Sequence, residues 1–273
     1  MTNQQIFTIA LILLLSIEDE PISLEQSFYT AEQIFGQQLV SALLWQQQSA
    51  EYKALCYQVF NQAQQALRNL NTKGTILIDV DETLLDNSTF EAGLSKYGLY
   101  FQAQAWDLWE REGAPSLVPG ALEFVKFAHQ WGAKVYYVSN RYGKNLQPTI
   151  ELLTRLGFPQ VSKDTLLLQF TNDYSETKQK RIKRIIAQEN VIMFVGDMID
   201  DFYTEEVFTS NQERKLWVEK VRSELGSRYI ILPNPVYGNW MTYLQPGFYN
   251  LELSEQNKVA ISTLIAWEIN NYQ

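Results

Sequence analysis

The sequence predicts an α/β fold: a doubly wound parallel sheet with a smaller, mostly helical cap and an N-terminal helical segment. Three observations carry this expectation. Short β-rich runs without polar alternation (Thr75–Val80, Lys134–Ser139, Thr165–Leu168, Val191–Val195 and Tyr229–Leu232) are separated by helical patterns, as in a parallel sheet covered on both faces. Roughly 35 residues containing Trp106 and Trp109 lie between the first strand and the helix at Ala121, longer than an ordinary connection. The stretch Ser23–Leu70 is rich in Gln and Ala, with apolar residues at helical spacing.

At the amino end, Ile6–Ile17 is an almost continuous apolar run of 12 residues followed by Glu18-Asp19-Glu20-Pro21. A membrane span needs about 20 apolar residues, so no stable span is expected. The run fits the h-region of a signal peptide over 1–20. Thr2-Asn3-Gln4-Gln5 carries no Lys or Arg, no small-x-small cleavage site is evident, and no Cys follows to accept a lipid. A buried first helix or strand is the rival reading. Export, to the periplasm or the medium, is the expectation.

Residues 21–273 then read as one domain. Helices over about 22–70 present Leu39, Leu43, Leu44, Leu55, Val59 and Phe60, with Asn71 and Gly74 as stop signals. Cys56, between Leu55 and Val59, reads as a packed core thiol. The core spans about 71–85 and 119–253, with helices around Ala121–Trp131, Leu146–Leu156, Lys178–Gln188 and Gln212–Leu225, and the insertion over about 86–118 reads as the cap. In the tail Ser254–Ile269, Val259, Ile261, Leu264, Ile265 and Trp267 predict a closing helix.

Composition narrows the chemistry. Of 273 residues, 46% are hydrophobic and 19% charged, which suits a globular domain and not a disordered one. With 22 Lys plus Arg against 31 Asp plus Glu, the net charge of −9 gives no global attraction to a nucleic acid polymer. A single Cys excludes an internal disulfide and Cys-based metal centres. The single His129, on a helix away from the strand ends, excludes poly-His metal sites and reads as structural. Chemistry is left to carboxylates.

In a doubly wound sheet, ligands bind beyond the carboxyl ends of the strands. Those ends read Asp79-Val80-Asp81-Glu82-Thr83, Ser139-Asn140-Arg141 and Gly196-Asp197-Met198-Ile199-Asp200-Asp201, with Thr177-Lys178 opening the helix after the third strand. Up to five carboxylates therefore pool at one place, beside a Lys and an Arg. Clustered Asp oxygens suit a hard cation such as Mg²⁺, which accepts carboxylates, waters and phosphate oxygens. Lys178 can contact phosphoryl oxygens, while Ser139 and Asn140 offer donors. A carboxylate nucleophile giving an aspartyl-phosphate is the natural covalent route when His is scarce. Lys180 and Lys163 remain rivals of Lys178, and Arg141 can either bind phosphate or pair with a carboxylate.

DVDET, SNR, the helix-opening Lys and GDMIDD resemble the four ordered motifs of the haloacid dehalogenase superfamily. The longer strings ILIDVDETLLDNS, VSNR, VGDMIDDF and ILPNPVYGNW, with LLWQQQSAEYKALCYQVFN upstream, resemble the class C (DDDD-type) acid phosphatases, the lipoprotein-type 5′-nucleotidases, over roughly Trp45–Trp240. The resemblance implies a haloacid-dehalogenase-like core and Mg²⁺-dependent hydrolysis of phosphate monoesters, including nucleoside 5′-monophosphates. It implies Asp79 as nucleophile and Asp81 as acid and base. The metal would be held by Asp79, the Asp81 carbonyl and Asp197, with Asp201 in support. Ser139, Asn140 and Lys178 match phosphate-contacting positions, and Trp106 and Tyr237 match aromatics that sandwich the organic part of the substrate. A homodimer and an acid optimum are implied by the family alone. The competing classes are a phosphotransferase or narrow sugar phosphatase with the same motifs, and a non-catalytic binding or storage protein. Such proteins typically lose the nucleophile, and Asp79 is present.

Overall fold

The computed structural model describes residues 39–97, 99, 101–169, 176–202 and 208–267. The apolar run at Ile6–Ile17 and the first part of the expected N-terminal helices lie outside these residues. The chain opens with α1 (Val40–Gln48) and α2 (Ala50–Arg68), followed by β1 (Thr75–Ile78) and β2 (Leu85–Asp86). An insertion of α3 (Ser88–Lys96) and α4 (Ala103–Glu112) precedes β3 (Ser116–Leu117), α5 (Ala121–Trp131) and β4 (Lys134–Tyr142). Next come α6 (Leu146–Arg155), β5 (Leu166–Gln169), α7 (Lys178–Ile186) and β6 (Val191–Gly196). The described chain closes with α8 (Asn211–Lys220), β7 (Tyr229–Ile231), α9 (Asn239–Thr242) and α10 (Leu253–Ser262).

Five parallel strands form one sheet in the order β5-β4-β1-β6-β7. Successive side chains on a strand point to opposite faces, and both faces here are covered. Ile76 and Ile78 of β1 join a core with Phe60 and Leu67 of α2 and Phe124 and Val125 of α5. Leu77 points the other way, into a core with Ile182 and Ile185 of α7 and Trp217 of α8. This double burial is why β1 is apolar throughout. The long helix α2 starts at Ser49, whose hydroxyl accepts from the Tyr52 N–H at 3.0 Å. Cys56 on its inner face is fully buried.

The insertion is closed at its neck by the antiparallel pair of β2 and β3, Leu85 opposite Leu117 and Asp86 opposite Ser116. Gln46 of α1 donates to Asp86 at 2.9 Å and Gln47 to Ser88 at 3.1 Å, tying the N-terminal helices to it. Several elements differ from expectation: the helix expected around Gln212–Leu225 ends at Lys220 and the first strand ends at Ile78. β4 runs on to Tyr142, because Tyr142 pairs with Gln169 of β5 after a register shift. The tail helix stops at the weak helix formers Ser262 and Thr263 and leaves Ile261, Leu264, Ile265 and Trp267 exposed. No helix among the described residues is long and apolar enough to cross a membrane.

Candidate active site

Ile78, the last residue of β1, is in register with Tyr137 of β4 and Val195 of β6. The residues leaving these three adjacent strands therefore emerge side by side. Asp79 continues the line of β1, its N–H donating to the Val195 carbonyl at 2.9 Å. The chain then turns sharply at Glu82, which has a φ of 58°. That left-handed conformation is costly for a residue with a Cβ and persists only where the surroundings enforce it. Here they do: the Glu82 carboxylate accepts from the Asn87 N–H at 2.9 Å and Nδ2 at 3.2 Å, and it also accepts the Tyr237 hydroxyl.

Asp81 is directed by three neighbours. Arg141 donates from Nε to both carboxylate oxygens at 3.1 Å and from Nη2 at 2.8 Å, Ser139 donates its hydroxyl at 3.2 Å, and Asn87 donates from Nδ2 at 2.9 Å. Of the two roles open to Arg141 from sequence, this one is the carboxylate pair, made by a fully buried guanidinium. Ser139 is fully buried and meets Asp81 instead of open space. Asn140 is exposed, its Oδ1 accepting from Arg181 at 2.8 Å.

Lys178 is the first residue of α7, and its Nζ lies between the carboxylates of Asp79 and Asp201, 2.5 Å from Asp201 Oδ1. Against the cost of burial, Asp201 and Asp79 hold its ammonium form above the ordinary lysine range. Lys180 and Lys163 are exposed. Asp197 follows β6 and accepts from Asn234 Nδ2 at 2.9 Å and Thr83 Oγ1 at 3.4 Å. Asp201 sits on the turn Ile199–Asp201, where it accepts the Met198 N–H at 2.8 Å. A Cβ at Gly196 would stand 2.3 Å from Asp201, so only glycine lets the turn close on the strand end. Asp200 accepts from Arg214 Nη1 at 2.6 Å.

One carboxylate oxygen from each of Asp79, Asp197 and Asp201 lies within 4.8 Å of the others. Burial pushes Asp79 up to about 7 despite Lys178, with Asp201 and Asp81 adding to the rise. Burial, Asp201 and Asp79 likewise hold Asp197 well above the usual carboxylate range. Acids crowded in this way ionise together only when a cation compensates them. An all-oxygen donor set is the kind a hard divalent ion takes, so the residues fit such an ion.

The cluster lies in a cavity of about 800 Å³ that Asn140 and Lys178 also line. Trp106 and Tyr237 form part of its wall, with Leu99 and Phe101. Trp106 packs edge-on against Phe90, ring centroids 5.2 Å apart. Of the residues expected at the site, Asp79, Asp81, Asn140, Lys178, Asp197, Asp201, Trp106 and Tyr237 border this one space. Ser139 lies behind it.

A second buried carboxylate secures the insertion to the strand ends. Glu110 of α4, 2% exposed, accepts the Tyr142 N–H at 3.0 Å and Asn145 Nδ2 at 2.6 Å, one residue beyond Arg141. Burial pushes it up to about 7, opposed by these donors and by Arg141. Its protonated form is thus favoured in the folded state. Its contribution to stability is fully present below the unfolded value near 4.5 and is lost as pH rises through about 7. We expect Glu110→Gln to flatten the stability-versus-pH curve over that window in denaturant titrations. An unchanged slope would show that Glu110 does not titrate there.

Glu82, Asn87, Arg181 and Asn234 had not been singled out as functional. Arg181 lies three residues after Lys178 on the same helix face, and Asn234 follows β7, so helical spacing and the strand-end rule were the available signals.

Two comparisons bear on this site. The family model described as HAD superfamily, subfamily IIIB (Acid phosphatase) matches residues 19–240. Two solved structures of the class C acid phosphatase from Bacillus anthracis, one with tungstate bound, are each 32% identical and superpose with a TM-score of 0.79. Each covers 86% of this chain, which in turn covers 99% and 100% of theirs.

Proposed function

The chain belongs to the acid phosphatases of HAD superfamily subfamily IIIB, and is thus a phosphoric monoester hydrolase; on that premise we propose that it is Mg²⁺-dependent, that it accepts nucleoside 5′-monophosphates among small phosphate monoesters, and that it works through an aspartyl-phosphate on Asp79. The observation that carries this reading is the meeting of Asp79, Asp197 and Asp201 with Lys178 in one cavity walled by Trp106 and Tyr237.

In the proposed reaction, an Asp79 oxygen attacks phosphorus as the bond to the ester oxygen breaks. Asp81 gives that oxygen its proton. Asp81 then takes a proton from water, whose oxygen attacks the phosphorus of the acyl phosphate, releasing inorganic phosphate and regenerating the Asp79 carboxylate. Arg141, Ser139 and Asn87 aim the Asp81 carboxylate, so Ser139 acts through Asp81 in this arrangement. Lys178 and Asn140 meet the phosphoryl oxygens, with Lys178 as a point charge. Asp79, Asp197 and the Asp81 carbonyl would hold Mg²⁺, supported by Asp201; bound there, it offsets the charge of the carboxylates and of the phosphate. Trp106 and Tyr237 flank the organic group.

The same reading makes the enzyme periplasmic or secreted, carried by the signal-like run Ile6–Ile17, and a homodimer as in the resembling family. Its central test is phosphate release from adenosine 5′-monophosphate and p-nitrophenyl phosphate at about pH 5 to 7, after chelation and again with Mg²⁺ restored. Hydrolysis of both esters that vanishes on chelation and returns with Mg²⁺ is the expected result. Turnover of the nitrophenyl ester alone removes the nucleotide part of the reading, and turnover indifferent to chelation removes the metal.

A further inference from the structure

Among the buried acids near the cavity, Glu91 is set apart by the absence of a hydrogen bond or ion pair to any described residue. The half-buried Asp81 and the buried Glu82, Asp86 and Glu110 each accept at least two hydrogen bonds from neighbouring donors. Glu91, in the first turn of α3, is 9% exposed, lines the same cavity as Asp79, and its carboxylate has no hydrogen bond or ion pair among the described residues. Burial pushes it up to about 7, and no ion pair or hydrogen bond from a described residue offsets the loss of water. Buried polar groups are almost always satisfied, and an exception that opens on a cavity has room for a partner carried by a ligand.

Its surroundings say what kind of partner. The same cavity is lined by Leu94, Leu99, Phe101 and Trp106, and by Tyr249, whose hydroxyl is close enough to feel the Glu91 charge. Phe90, the neighbour of Glu91 on α3, packs against both Trp106 and Trp109. Asn87, immediately before α3, donates to Asp81. The carboxyl of Glu91 is thus held on the same short segment as a residue that orients the reaction centre, beside the aromatic wall. It is the buried acid on the cap side of the cavity, whereas Asp79, Asp81, Asp197 and Asp201 gather at the strand ends and Glu252, also on the wall, is exposed.

We propose that Glu91 is a specificity-determining residue, accepting a hydrogen bond from a hydroxyl or amino group on the organic part of the phosphate ester. This rests on the phosphatase reading above and assigns the side chain that would recognise a donor on the alcohol part of the ester. A substrate without such a donor strips Glu91 of water and returns nothing, and sites with buried polar groups discriminate strongly against such analogues.

The test is the ratio of kcat/KM for a donor-bearing ester to kcat/KM for p-nitrophenyl phosphate, with Mg²⁺ present. Adenosine, inosine and 2′,3′-dideoxyadenosine 5′-monophosphates separate an amino donor from sugar hydroxyls. Glu91→Leu is expected to lower the ratio by about 10-fold to 100-fold for whichever ester carries the recognised donor. Glu91→Gln, which keeps an acceptor oxygen, is expected to restore most of it. The drop should be absent for the analogue lacking that donor. An unchanged ratio in Glu91→Leu, or equal losses for every ester including the nitrophenyl one, overturns the inference while leaving the phosphatase reading standing. A wild-type enzyme that turns over none of these esters overturns both.

Discussion

Asp79→Asn is expected to lower kcat for phosphate release by about 10⁴-fold or more, the scale on which loss of a nucleophile acts in enzymes that form a covalent intermediate. The amide has the shape of the carboxylate but not its nucleophilic charge. The fold should survive, because Asp79 is already pushed up to about 7 by burial and so gains little from ionising. Lys178 also keeps Asp201 as a partner at 2.5 Å. The measurement pairs initial rates with a thermal melt. A variant that retains more than a few per cent of activity removes Asp79 as the covalent residue. A variant that has lost its cooperative melt shows instead that the carboxylate is needed for folding.

Lys178→Met should be both inactive and unstable. Its ammonium lies between two buried carboxylates, and removing one member of a buried charge group typically costs about 3–5 kcal/mol because its partners are left uncompensated. Lys178 also opposes the rise of Asp79, so without it the folded-state value moves still further above the ordinary 3.8. The protonated acid is then favoured more strongly in the folded state. The loss of stability in the variant should therefore grow as pH rises from about 4 upward. Denaturant titrations in chelator across that range test the sign, and added Mg²⁺ should recover part of the loss if the three aspartates bind it. Stability equal to wild type would mean that the Lys178 contacts contribute nothing net, and loss at acid pH only would reverse the electrostatic assignment.

Much of the fold was legible because its signals are local. β1 is apolar at every position because Ile76 and Ile78 enter one core and Leu77 the other, and unbroken hydrophobicity is how a doubly covered strand reads. The strand-end acids were legible for a related reason: parallel neighbours in register bring their carboxyl ends to one edge whatever the details of packing. The long reach of β4 was less so, since its last pair with β5 follows a register shift that no periodicity encodes. The tail helix misled because its apolar spacing continues past Ser262 although Leu264, Ile265 and Trp267 are exposed among the described residues.

Local signals in the chain specified the α/β layering and sent Asp79, Asp81, Asp197 and Asp201 to one edge of the sheet, while leaving Lys178 as one of three candidate lysines. Only the tertiary structure decided which of them face one another. Arg141 meets Asp81 across 60 positions of chain, Lys178 meets Asp79 across 99, and Tyr237 locks Glu82 across 155. Packing also decided that Ser139 turns inward, that Glu110 fastens the insertion to β4, and that Glu91 is buried without a hydrogen bond or ion pair among the described residues. The physical reason is one of range. Hydrophobic period and turn chemistry act over a few residues and are written in the order of the chain, whereas a hydrogen bond needs donor and acceptor within about 3 Å, a distance set by how separate elements pack.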